Sequence, residues 1–176
     1  IQPGTGDLWV TVNERDKLGG ALPPDFLTRV ERGDFYGWPY AYAGPHPDPV
    51  FGARRPDLVA KTRTPDVLFE AHSAPLGVVF YEGAQFPAPY RGDAFVALHG
   101  SGPYGAPDGY KVVRVHFAGG RPAGGYEDCV TGFSHNKAGN LRVWGTPCGL
   151  TIAKDGSLLI GDDKGRTIWR VSYIGH

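Results

Sequence analysis

The chain has 176 residues, with 18 Lys and Arg against 18 Asp and Glu, so its formal net charge is zero. Balanced charge leaves no electrostatic footprint for nucleic acid or an anionic membrane surface, and no apolar run approaches the ~20 residues of a membrane span. Gly 27, Pro 16 and 12% aromatic residues together describe many tight turns between short strands and exclude a disordered chain, which is poor in aromatics.

The length suits one domain with a sizeable core, or part of a larger one. There is no Met, and the chain opens on Ile1-Gln2-Pro3-Gly4, so the expectation is a processed product or a fragment.

In chain order, the first predicted strand is Leu8–Val12, an alternating apolar run that ends on Asn13-Glu14-Arg15-Asp16. Pro23-Pro24 then introduces the best helical candidate, a turn or two over Pro24–Val30. Ala41–Pro65 is rich in Pro and weakly periodic, and reads as a long loop, functional or mobile. The remaining predicted strands are Gly77–Tyr81, Ala94–Leu98, Tyr110–Phe117, Gly149–Ala153, Ser157–Ile160 and Thr167–Tyr173, each fenced by Gly, Pro or Asp. The two cysteines, Cys129 and Cys148, sit in strand-like surroundings. They read first as small apolar residues and alternatively as one disulfide. No Cys or His spacing matches a zinc site.

A degenerate repeat runs through these strands. "GDLWVTVNERD" (Gly6–Asp16), "GDAFVALHGS" (Gly92–Ser101) and "GSLLIGDDKGR" (Gly156–Arg166) each give a turn, a strand and a polar cluster. Downstream of each lies a strand bearing Arg-Val: Arg29-Val30, Arg114-Val115 and Arg170-Val171. At the first of these, strand and helix readings overlap. Lys154-Asp155-Gly156 supplies a hairpin turn in the last run. Such units fit the blades of a β-propeller, an all-β fold. With about four strands per blade, the chain holds roughly two to three blades, fewer than a closed propeller needs. The expected organisation is therefore one partial propeller over residues 1–176, with its N-terminal blades missing and residues 41–65 as the long loop.

"LWVTVNERDKLGGALPPDFLTRVERGDFYGWPYAY", "HSAPLGVVFY", "YRGDAFVALHGS", "GYKVVRV" and "KDGSLLIGDDKGRTIWRVSY" together carry a family resemblance from Asp7 to Tyr173. The chain resembles the C-terminal half of soluble quinoprotein glucose/sorbosone dehydrogenases, six-bladed propellers holding pyrroloquinoline quinone (PQQ) and calcium. The resemblance implies hydride transfer from an aldose, or a related aldehyde sugar, to the quinone. Electrons would then pass to an external acceptor, in a periplasmic or secreted enzyme. In such an enzyme the cofactor carries the chemistry, and the protein supplies calcium, orientation and electrostatics.

The resemblance also assigns residues. The calcium loop falls on Asn13, Glu14, Arg15 and Asp16, partly through main-chain carbonyls, which suits a cation that prefers oxygen. The same four side chains also read as a solvated turn. Arg15 suits a cofactor carboxylate. Asp25 either supports the calcium loop or caps the helical turn after it. His72 and Ser73 stand where the family places a donor near the cofactor; a hydrogen-bonded structural histidine is the alternative. His99 and Ser101 end the second repeat strand as Asn13 ends the first, and Asp162 ends the third as an inner anchor, with Asp163 left to turn chemistry. Lys111 either reaches cofactor oxygens or is solvated. Trp38 and Tyr40 read as loop packing, with sugar stacking as the alternative.

Two departures stand out. Where the family reads Gly-Arg-Pro, this chain has Gly145-Thr146-Pro147, and a threonine cannot grip a carboxylate as an arginine does. Where the family reads GSWNR, this chain has Gly100-Ser101-Gly102-Pro103-Tyr104. Arg142 is a candidate to compensate. The family's catalytic histidine and an Arg-Asn pair lie upstream of residue 1, so residues 1–176 alone are expected to be inactive. The rival readings are a cofactor-free propeller serving as a carbohydrate-binding or interaction module, and a calcium-dependent propeller hydrolase of the lactonase type.

Overall fold

The computed structural model describes residues 1–101, 109–137 and 140–175. It is nearly all β. The strands are β1 (Leu8–Val12), β2 (Phe26–Val30), β3 (Ala41–Tyr42), β4 (His46–Pro47), β5 (Val67–Leu68), β6 (Pro75–Phe80) and β7 (Ala94–Leu98). They continue as β8 (Lys111–Ala118), β9 (Arg121–Val130), β10 (Ser134–Lys137), β11 (Asn140–Val143), β12 (Pro147–Ile152), β13 (Leu158–Asp162) and β14 (Thr167–Val171). One short helix, α1, covers Pro56–Lys61.

These strands form three main antiparallel sheets in chain order: β1-β2-β5, β6-β7-β8-β9 and β12-β13-β14. β3–β4 and β10–β11 are separate hairpins. The sheets are blades stacked face to face, with β6 against both β1 and β12. Trp9, Leu27, Phe69 and Phe80 meet Ala94, Val96 and Leu98 of β7 in a core between the first two blades. Phe95, Tyr81, Val112, Leu158 and Ile160 build a second core between the second and third. β7 therefore faces a core on both sides, and all five of its residues are fully buried. Alternation sends its side chains to opposite faces, which is why no polar residue interrupts it.

The repeat has a structural cause. The residue after each repeat glycine meets the arginine of the following strand: Asp7 with Arg29 at 3.4 Å, Asp93 with Arg114 at 2.6 Å, and Ser157 with Arg170 at 3.1 Å. The Gly-Asp and Arg-Val signatures are thus two halves of one clamp between adjacent strands. Arg114 is the most elaborated copy. Its guanidinium also lies 3.8 Å from the Tyr90 ring centroid and bonds Glu127 at 3.0 Å.

Two expectations need correction, and a third is met in part. The helical candidate over Pro24–Val30 is strand β2, paired with β1 on one side and β5 on the other. Pairing on both edges overrides the proline-entry signal. The loop expected over residues 41–65 is instead ordered, carrying a hairpin, a 3-10 turn at Gly52–Arg54 and α1. Asp48 organises it by accepting bonds from the Val50 and Phe51 amides at 2.8 and 2.9 Å. The helix was illegible because none of its residues is buried, so it has no apolar stripe. Both cysteines are free, as the first reading had them rather than the disulfide alternative, but they are only partly buried, on β9 and β12. Burial pushes the Cys129 thiol pKa up.

Candidate functional site

The polar strand ends gather around one tight turn, His72-Ser73-Ala74. His72 and Ala74 both adopt left-handed backbone conformations, with φ of 65° and 51°. Non-glycine residues hold such angles only where the surroundings fix them. Here the second blade does so: the His99 amide donates to Ala74 O at 2.9 Å, Gly100 to Ser73 O at 2.8 Å, and the Ser101 hydroxyl to His72 O at 2.9 Å.

Asp25 ties the same turn to the first blade. One carboxylate oxygen accepts the Glu14 amide at 2.8 Å; the other accepts the Ala74 amide at 2.7 Å and the Ser73 hydroxyl at 3.3 Å. Burial raises the Asp25 pKa against the pull of these bonds. Asp25 is neither a helix cap nor a free ligand. It is a staple between the strand-end loop and the His72 turn.

Within Asn13–Asp16 the four residues have separate fates. Asn13 is exposed. Glu14 is half-buried, and burial raises its pKa. The Arg15 guanidinium turns away to Asp48, which is almost fully buried, and its Nε donates to Asp16 O at 3.0 Å. Asp48 is held below the usual carboxylate range: burial opposes this, and the Phe51, Val50 and Arg15 donors outweigh it. Asp16 lies 3.3 Å from His72 Nδ1, while His72 Nε2 meets Gly19 O at 2.9 Å. Asn13, Glu14 and Arg15 line a cavity of about 540 Å³ together with Phe35, Tyr36 and Trp38. The Trp38 ring stands 62% exposed at its rim, so it is not packed against a blade.

The second and third blades meet at His99, Thr146 and the Asp162-Asp163 pair. Asp162 is 4% exposed and accepts the Thr146 amide at 2.8 Å, the Gly165 amide at 2.8 Å and the Trp169 indole N–H at 3.0 Å. It is an inner anchor, pinning the β13–β14 turn to the segment before β12. Asp163 accepts the Thr146 hydroxyl and faces His99 Nε2 at 3.3 Å. His99 Nδ1 faces Gly100 O at 2.6 Å. Between these groups lies a cavity of about 330 Å³ that includes Ser101, Tyr110, Val143 and Lys164 in its wall.

The structure thus brings His72, Ser73, His99, Ser101, Thr146 and Asp163 to one mouth, with Asn13, Glu14 and Asp25 joined through the Asp25 staple. It does not bring Lys111 there: its ammonium pairs with Asp128 on β9 at 2.8 Å. Arg142 is exposed on β11 and does not line the cavity beside Thr146. The repeat equivalence also shifts by one residue. Asn13 and His99 each follow the last strand residue, and so does Asp163, whereas Asp162 is the last residue of β13. Counting from the repeat glycines Gly6, Gly92 and Gly156 gives the same answer and was the available signal. Gly102, Pro103 and Tyr104 lie outside the described residues. Asp48 and Lys164 were missed; the Asp48-Pro49 pair, a turn signal, was the only hint of the former.

Among the described residues, no group of three or more His, Cys, Asp and Glu side chains is placed to hold a metal. Asp16 and Asp25 are engaged by His72 and by backbone donors. What remains for a cation is the Asn13 amide, the Glu14 carboxylate and main-chain carbonyls, an all-oxygen set of the kind calcium accepts. No helix among the described residues is long and apolar enough to cross a membrane.

Comparison with known proteins gives this geometry a context. The chain is 32% identical over 178 residues to an uncharacterised protein of Borreliella burgdorferi, covering 98% of this chain and 45% of that one. It superposes on the Trichoderma reesei carbohydrate-active enzyme of family AA12 in its calcium structure, with TM-score 0.70, 21% identity and coverage of 95% and 49%. It also superposes on the PQQ domain of Coprinopsis cinerea pyranose dehydrogenase in its holo form, with TM-score 0.68, 21% identity and coverage of 96% and 51%. The chain therefore spans about half the length of the relatives it matches. Its fold is all β and is part of a six-bladed propeller like those of these two structures. The TrAA12-like family matches residues 57–173, and the chain belongs to that family.

Proposed function

We propose that the chain is part of a PQQ- and calcium-dependent sugar oxidoreductase, acting on an aldose or a sorbosone-like aldehyde in the periplasm or outside the cell. The remaining blades of the propeller are contributed by residues outside 1–176. The observation that carries this reading is the convergence of polar groups of the first two blades on the His72–Ala74 turn, with the third blade joined to them through the Asp163–His99 contact. It is supported by the fold shared with a holo PQQ domain.

Bound quinone supplies the two-electron chemistry at the sugar carbon, and the electrons leave to an external acceptor. The chain's own residues bind and orient. Asn13, Glu14 and neighbouring carbonyls would hold the cation. Ser101, Thr146 and His99 line a cavity that would take part of the cofactor. Neither His72 nor His99 serves as the base. In each ring one nitrogen faces a carbonyl and the other a carboxylate, so no lone pair is open to a substrate proton. The proton acceptor must then come from the remaining blades.

A second reading, a cofactor-free carbohydrate-binding propeller, is favoured by the diversion of Arg15 to Asp48 and by the neutral Thr146. Calorimetric titration of the full-length protein with PQQ and calcium separates the two. Calcium-dependent binding with aldose-dependent dye reduction supports the dehydrogenase. Sugar binding without quinone binding supports the second reading.

A further inference from the structure

We infer that Lys164 is the anion-binding residue of the cavity between the second and third blades, and that the cavity takes a carboxylate. The inference rests on the reading above for one source of that carboxylate, the quinone cofactor. The other source is a free sugar acid.

Charge bookkeeping at the mouth leads to this residue. Arg15 is held by Asp48 and Lys111 by Asp128. His72 and His99 each face a carboxylate. Thr146 is neutral, and Arg142 is not in the wall. Lys164 is, and among the described residues no ion pair engages its ammonium.

Its backbone is also fixed. The Lys164 amide donates to Thr146 Oγ1 at 3.2 Å, and the next amide, of Gly165, donates to buried Asp162 at 2.8 Å. A flexible four-carbon stem thus rises from a rigid base, so its ammonium reaches a carboxylate as a compact point charge. The carboxylate next to it in sequence, Asp163, already has the Thr146 hydroxyl and His99 as partners. At about 330 Å³ the space lies at the small end of ligand sites, about 300–1,000 Å³. That size fits a carboxylate-bearing edge or a small acid. Thr146, the neutral residue where the resembled family carries arginine, accepts the Lys164 amide, so the lysine stem starts beside it.

The test is calorimetric titration of the full-length protein, wild type, Lys164→Gln and Lys164→Arg, with PQQ in calcium and separately with gluconate. The expected result is a loss of about ten- to hundredfold in affinity for Lys164→Gln, as for one charge-assisted hydrogen bond. Lys164→Arg should retain binding, and the salt dependence of affinity should flatten in Lys164→Gln. Unchanged PQQ affinity in Lys164→Gln overturns the inference and leaves the quinone reading standing. Lys164-dependent binding of gluconate with no binding of PQQ upholds the site and overturns the quinone reading. No binding of either by the wild type overturns both.

Discussion

Asp162 and Asp25 are both buried carboxylates, at 4% and 1% exposure, yet their surroundings move their acidities in opposite directions. Burial pushes Asp162 up, but the Trp169 indole and the Thr146 and Gly165 amides outweigh it and hold the pKa below 3.8. Its stabilising contribution is therefore full above 3.8, the unfolded value, and is lost as the pH falls through the lower folded value. For Asp25 burial wins, so folding favours its protonated form, and its contribution grows as the pH falls through the raised value toward 3.8. Asp162→Asn leaves one oxygen for three donors and should cost about 1–3 kcal/mol at pH 7. Urea denaturation should show the gap to wild type closing below pH 3.8; a gap independent of pH would contradict the charge assignment. That Asp162 stands at a strand end was legible; that it accepts three donors there was not. Nor were the roles of Asp48 and Lys164, because each depends on a partner far away in the chain.

At the scale of the element, the three arginine clamps offer an internal comparison. Arg114 is 7% exposed and compensates Asp93, itself 3% exposed, so Arg114→Ala strands a buried charge and should cost about 3–5 kcal/mol. The equivalent Arg170 is exposed, and Arg170→Ala should cost under about 1 kcal/mol by the same denaturant titration. Inner-strand packing is tested by two glycines. A Cβ on Gly77 would stand 2.4 Å from Cys148 O on β12, whereas one on Gly149 would meet nothing within 4 Å. Gly77→Ala should lower stability by about 1–3 kcal/mol and Gly149→Ala should not. Equal midpoints for the two variants would refute this β6–β12 contact. β1 and β7 were readable to the residue because Val, Leu and Phe alternate inside Gly-Asp and polar fences. β9 was not, since Pro122, Gly124 and Gly125 interrupt it and most of its residues are exposed. β2 was misread as helix because its strand identity depends on two neighbouring strands rather than on local signals.

At the scale of the molecule, the outer blades present apolar side chains to solvent: Leu8 and Leu68 on the first, Ile168 and Trp169 on the third. Expressed as residues 1–176, the chain should self-associate through these surfaces and unpaired edges. A monodisperse monomer in sedimentation velocity would contradict that. The same protein, given PQQ, calcium and aldose, should reduce no dye, because both histidines at the mouth are occupied.

The burial of β7 on both faces has a further consequence, for time rather than for energy. In residues 1–176 expressed alone, its backbone amides are released only when both adjoining cores open, whereas β1 and β14 need only one. Deuterium uptake should therefore be slowest along Ala94–Leu98 and quicken outward in both directions. His99 sits at the end of that slowest strand, and Asn13 and Lys164 sit on blades that open sooner. In that isolated chain the mouth should have one persistent wall and two that breathe against it.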